Sequence, residues 1–75
     1  MKSTLNALDI AVLEAIQRLA TNQGYPPTIR EVSHAMGRSN TPIYNRLCFL
    51  RREGYITWTD GSGRTMRVIK PPRGR

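Results

Sequence analysis

The chain has one cysteine, one histidine and five acidic residues among its 75, and each scarcity removes a class of protein. Cys48 has no second cysteine to pair with, so no intramolecular disulfide can staple the fold, and His34 alone leaves a structural zinc site short of ligands. No cofactor is expected. The acids are all accounted for by local structure: Asp9 and Glu31 by helix starts, Glu14 and Glu53 by solvated helix faces, Asp60 by a turn. No carboxylate pair remains for acid-base work, and Cys48 without a partner histidine reads as a small groove-facing or half-buried residue, so neither an enzyme nor a small-molecule substrate is expected. Long apolar runs are missing too. None approaches the roughly 18 residues of a membrane-spanning helix, and Asp9 and Glu14 interrupt the opening stretch where a signal peptide would be uncharged. The expectation is a cytoplasmic chain with no membrane partner. Seventy-five residues make one small domain, which at this size hides only roughly 60% of its unfolded surface.

What is abundant is positive charge, and it is unevenly placed. Residues 1–37 are neutral, with Lys2, Arg18 and Arg30 set against Asp9, Glu14 and Glu31. Residues 38–75 hold nine of the twelve basic residues against only Glu53 and Asp60, so the whole formal charge of +7 lies there. Eight of those nine are arginine, whose planar fork suits phosphate oxygens and guanine edges. A neutral half joined to a strongly basic half is the electrostatic footprint of a nucleic-acid reader.

Hydrophobic spacing divides the chain into short elements. Leu5, Leu8, Val12, Leu13, Ile16 and Leu19 fall on one helical face, predicting a first helix over Leu5 to Asn22 with Asn6 at its cap and Gly24 as its stop. Pro26 and Pro27 then forbid helix, and Thr28-Ile29-Arg30-Glu31 has the spacing of a capping box. A second short helix follows, with Ile29, Val32, Ala35 and Met36 inward and Gly37 ending it. A third begins near Ser39-Asn40-Thr41-Pro42, capped by Ser39 or Thr41, turns Ile43, Leu47 and Leu50 inward and ends at Gly54. From Tyr55 the period becomes two. Ile56 and Trp58 share one side of a strand, and Met66 and Val68 share the matching side of another across the Asp60-Gly61-Ser62-Gly63 turn. The fold class expected is mainly α with small β: a winged helix-turn-helix of three helices and a two-stranded hairpin wing over residues 1–70, followed by a basic flexible tail or linker stub at 71–75.

Such an arrangement leaves the outer face of the third helix free to enter a major groove about 12 Å wide. Helical angles measured from Ile43 send Thr41, Asn45, Cys48 and Arg52 outward with Tyr44 on the flank. Asn45 can pair bidentately with adenine, Thr41 and Tyr44 can reach bases or phosphates, and Arg38, Arg46, Arg51 and Arg52 can neutralise the sugar-phosphate backbone around them. At the hairpin tip Gly61 and Gly63 admit a phosphate that Arg64 and Arg67 can hold. Phe49 sits at an oblique angle that fits either a cover for the core or a contact with a partner.

These residues resemble the N-terminal DNA-binding domain of the LexA repressor family over essentially residues 2–70. The resemblance rests on Gly24-Tyr25-Pro26-Pro27-Thr28, Glu31-Val32 and Gly37, Arg38-Ser39, Leu47 and Leu50 spaced to Gly54, and the Gly61 to Arg64 wing. It implies a winged helix that binds a partly palindromic operator and represses promoters. It also implies base-reading positions at Ser39, Thr41, Pro42, Tyr44 and Asn45 and a phosphate contact at Arg52; Cys48 on the outward face is expected among the base readers, and Thr28 among the backbone contacts. The family's asparagine and following glutamate pair are replaced by Thr41, Tyr44 and Asn45, and the chain is one residue shorter just after Gly37. A glutamate accepts from cytosine whereas Asn45 suits adenine, so a different operator is expected.

The 75 residues leave no room for the family's self-cleaving peptidase domain, which in that family also dimerises. The chain is expected to be either a domain cut from a longer repressor or a small regulator of the phage or mobile-element kind. It would act as a monomer or as a weak dimer formed on DNA. The leading expectation is a sequence-specific double-stranded DNA-binding repressor on the cytoplasmic nucleoid. Two alternatives stand beside it: a non-specific architectural DNA-binding protein and a phage accessory protein-interaction module. Duplex DNA is favoured over RNA, whose A-form major groove is too deep and narrow for a helix.

Overall fold

Helix α1 (Ala7–Gln23) begins where Asn6 and Asp9 satisfy each other's backbone. The Asn6 side-chain oxygen accepts the Asp9 N–H at 2.8 Å, and the Asp9 carboxylate accepts the Asn6 N–H at 3.1 Å. This capping box, rather than the apolar periodicity that reaches back to Leu5, sets the first turn. Helix α2 (Ile29–Met36) opens on the second box, with Thr28 Oγ1 accepting from Glu31 N–H at 3.1 Å and Glu31 accepting from Thr28 N–H at 3.0 Å. At its end Gly37 turns to φ +69°, the left-handed region a side chain resists, so that Arg38 N–H reaches the Ser33 carbonyl.

Helix α3 (Asn40–Arg52) starts after the three-residue turn Gly37-Arg38-Ser39. Ser39 occupies the cap position but makes no side-chain cap bond, and Thr41 lies inside the helix, so the capping expected from these two residues is not formed. The helix ends on the same left-handed device, at Gly54 with φ +85°, where Tyr55 N–H donates to the Leu50 carbonyl and directs the chain into the wing.

The structure, a computed structural model, describes residues 5–59, 61 and 65–70. Strands β1 (Ile56–Thr57) and β2 (Arg67–Val68) pair antiparallel, with Ile56 opposite Val68 and Thr57 opposite Arg67. The same register sets Trp58 against Met66, both buried. The alternating pattern is longer than the ladder, because at Thr59 the backbone N–H bonds the Thr65 hydroxyl at 2.7 Å in place of a backbone carbonyl. Asp60, Ser62, Gly63 and Arg64 of the expected wing tip, and the expected tail at 71–75, lie outside the described residues.

Val12, Leu13, Ala15 and Ile16 of α1, Val32 of α2, Ile43, Leu47 and Leu50 of α3, and Ile56, Trp58 and Met66 of the hairpin form one core. The chain is thus a winged helix-turn-helix, mainly α. One expected face is rotated. Ala35 is exposed and Ser33 is buried, because the inward arc of α2 runs through Ile29, Val32, Ser33 and Met36, and Ala35 falls well outside it. Ser33 tolerates burial by donating its hydroxyl to the Ile29 carbonyl at 3.0 Å. Among the described residues no helix is long and apolar enough to cross a membrane.

Candidate nucleic-acid interface

Helix α3 is anchored by Ile43, Leu47 and Leu50, each fully buried, and everything about its opposite face follows from that anchoring. Thr41, Asn45 and Arg52 are exposed and Cys48 is half-buried, and their spacing of four, three and four residues makes one stripe along the helix. Tyr44, 45% exposed, stands beside this stripe, and Ser39 and Pro42 are exposed at the helix entrance. All six residues expected to face bases therefore lie on the free side or the entrance of one helix. Asn40, the first helical residue, is exposed as well. It was overlooked because a helix boundary is the least certain feature of a periodicity argument, yet its amide has the same adenine-pairing chemistry as Asn45.

Both flanks of α3 are held. On the flank toward α1, Arg46 Nε and Nη2 donate to the two Asp9 carboxylate oxygens at 2.7 and 2.8 Å. Asp9 is completely buried, and the Arg46 side chain is 30% exposed. These hydrogen bonds are the main reason the guanidinium lies above its ordinary pKa; partial burial opposes them and the carboxylate charge adds to them. Arg46 was expected among the backbone-neutralising arginines. In the structure its Nε and Nη2 are committed to Asp9 within the fold, where a buried carboxylate requires a charged partner. Asp9, explained from sequence as a helix start alone, carries both the cap and this bond. Phe49 packs against the core beneath the Arg46 guanidinium, 4.6 Å from its ring centroid, so it covers the core.

On the flank toward the wing, Trp58 underlies two residues of α3. The Arg51 guanidinium lies over the indole at 4.3 Å, and the Tyr44 ring centroid is 6.3 Å away with the planes tilted by 53°. Arg52 reaches outward, with 74% of its side chain exposed, a long 3.9 Å approach to Glu53, and its guanidinium 5.8 Å from the Phe49 ring centroid.

The remaining expected backbone contacts surround this face. Arg38 is exposed in the turn before α3, and Arg67 is exposed on the outer side of β2. Thr28 is half-buried at the start of α2, where its oxygen already accepts from Glu31 and only its hydroxyl hydrogen remains to be donated. Arg64 lies outside the described residues. The first turn of α3 contains no acid and no side-chain cap, so its amides and dipole favour an anion. What these residues can do chemically is present one polar helical stripe to base edges, bracketed by cations placed for phosphate.

Comparison with known proteins bears on the same region. The family model described as "LexA DNA binding domain" matches residues 2–65. The Transcription regulator LexA of Synechocystis is 46% identical over 52 residues, covering 67% of this chain and 26% of that protein. The LexA repressor of Oleidesulfovibrio alaskensis is 33% identical over 69 residues, 92% of this chain and 33% of that protein, and that of Pediococcus pentosaceus is 31% identical over 71 residues, 93% and 34% respectively. The chain thus spans about a quarter to a third of the length of the curated relatives it matches.

Proposed function

This chain belongs to the LexA DNA-binding domain family, and from that membership and the form of α3 we propose that it reads double-stranded DNA sequence-specifically as a transcriptional repressor, with α3 in the major groove. The carrying observation is the division of α3 into a fully buried apolar face and an opposite stripe of exposed Thr41, Asn45 and Arg52 with half-buried Cys48 between them. A helix that merely completed a core would need no such ordered polar face with arginines at its edges.

Asn45 and Asn40 read bases, with Ser39, Thr41, Pro42, Tyr44 and Cys48 fitting around them. Thr28, Arg38, Arg51, Arg52, Arg64 and Arg67 grip phosphate, while Arg46 positions the helix through Asp9. A duplex partner would locate the chain on the nucleoid in the cytoplasm. With short dimensions of 23 Å, two copies fit on half-sites about 34–36 Å apart, so a monomer or a pair assembled on DNA is the working state.

Selection from random duplexes tests the reading. The parent chain should enrich a defined motif. Asn45→Ala should lose preference at one or two positions, costing about 1–3 kcal/mol on the best site. Recovery of bound DNA without any enriched motif would replace the repressor with an architectural binder.

A further inference from the structure

Trp58 belongs to the wing, yet its indole carries two residues of the neighbouring helix: Arg51 at 4.3 Å and Tyr44 at 6.3 Å. Trp58 is only 9% exposed and is fixed from below by the core it completes with Ile56 and Met66. A guanidinium held 4.3 Å from the centroid of a rigid ring is restrained by that contact. Arg51 therefore arrives at a phosphate with much of its rotamer entropy already lost, which is the condition under which an arginine contact is strongest per bond formed. Tyr44, on the same side of α3 about two turns earlier, is restrained by the same ring.

We propose that Trp58 is a positioning residue for DNA binding: it seats Arg51 for a backbone phosphate at the junction of α3 and the wing and holds Tyr44 at the edge of the base-reading stripe. The inference rests on the DNA-binding function proposed above. It adds that affinity depends on a residue that need not touch DNA, and that the wing and α3 bind as one preassembled surface. The contact depends on the planar face of arginine, so an ammonium at position 51 is a poor substitute.

Affinity for the duplex obtained by selection is measured for the parent, Trp58→Phe, Trp58→Leu, Arg51→Ala, Arg51→Lys and the double variant Trp58→Leu/Arg51→Ala, with folding of each checked by circular dichroism. Trp58→Phe retains an aromatic platform and should stay within about threefold of the parent, whereas Trp58→Leu and Arg51→Ala should each bind about tenfold more weakly. The double variant should bind close to the weaker single variant, because one contact is lost in all three. Arg51→Lys should be nearly as weak as Arg51→Ala, and this comparison decides the matter even if Trp58→Leu does not fold. Independent, multiplicative losses in the double variant, or parent-like binding by Arg51→Lys, would overturn the role of Trp58 while leaving the DNA-binding function intact. Failure of the parent itself to bind any duplex would overturn that function first and this inference with it.

Discussion

Replacing Asp9 by asparagine exchanges one carboxylate oxygen for an amide nitrogen and breaks the ion pair that ties α3 to α1. The carboxylate is completely buried and accepts three hydrogen bonds, two from Arg46 and one from the Asn6 backbone. Asparagine keeps the shape but exchanges one acceptor for a donor that must face Arg46 Nε in one orientation, or both Arg46 Nη2 and the Asn6 N–H in the other. Breaking a fully buried pair costs about 3–5 kcal/mol, and because the Arg46 side chain retains 30% of its exposure, solvent screening brings the expected loss to about 2–3 kcal/mol. Against a total of roughly 4–11 kcal/mol for a domain of this size, that is a large fraction. The midpoint should fall by about 10–20 °C. Urea unfolding followed by far-ultraviolet circular dichroism, applied to Asp9→Asn, Arg46→Met and the double variant, separates the pair from the cap, since loss of the cap enters both Asp9 variants equally. The coupling should be about 2 kcal/mol. A coupling below about 0.5 kcal/mol, the level of an exposed surface pair, would refute the assignment of Arg46 to the interior of the fold.

Salt dependence tests the same assignment from the DNA side. The five proposed arginine–phosphate contacts, from Arg38, Arg51, Arg52, Arg64 and Arg67, predict a slope of log affinity against log salt of about −4.5 per monomer; Arg52→Ala should flatten it by about 0.9 and Arg46→Met should leave it unchanged. Equal flattening by both would return Arg46 to the phosphate set. Because Asp9 raises the Arg46 pKa, the stabilisation from this pair is complete below the guanidinium's unfolded value and is lost only as pH rises through the still higher folded one. Thermal melts should therefore show no loss of this contribution across the mildly alkaline range, and an Asp9-dependent drop there would contradict it. Gly37→Ala meets no atom within 4 Å, so its cost is that of the left-handed backbone alone, about 1–2 kcal/mol in the urea midpoint; a neutral outcome would mean the turn before α3 relaxes without penalty.

Much of this was legible in the sequence because local rules governed it. The Thr28-Glu31 box, the glycine stops at Gly37 and Gly54, the buried face of α3 and the shared apolar side of Ile56, Trp58, Met66 and Val68 all follow from local spacing. The contacts that hold the two flanks of α3 were not legible. Asp9 and Arg46 are 37 residues apart, and no periodicity links them. The same holds for Trp58, whose alternation assigned it correctly to the core side but said nothing of which α3 residues would lie on its ring. On α2, four apolar residues outvoted a serine that local hydrogen bonding made as easy to bury as an alanine.

The central claim is that α3 enters the groove while the wing and the turn before it grip the backbone. Amide chemical-shift mapping with a duplex from the selection tests it directly. The largest changes are expected at residues 38–45, at Cys48 and Arg52 along the exposed stripe, and at Arg67 on β2, with the far side of the domain near Leu19 and His34 unmoved. Changes centred instead on that far side, between the end of α1 and the outer face of α2, with α3 silent, would contradict the account.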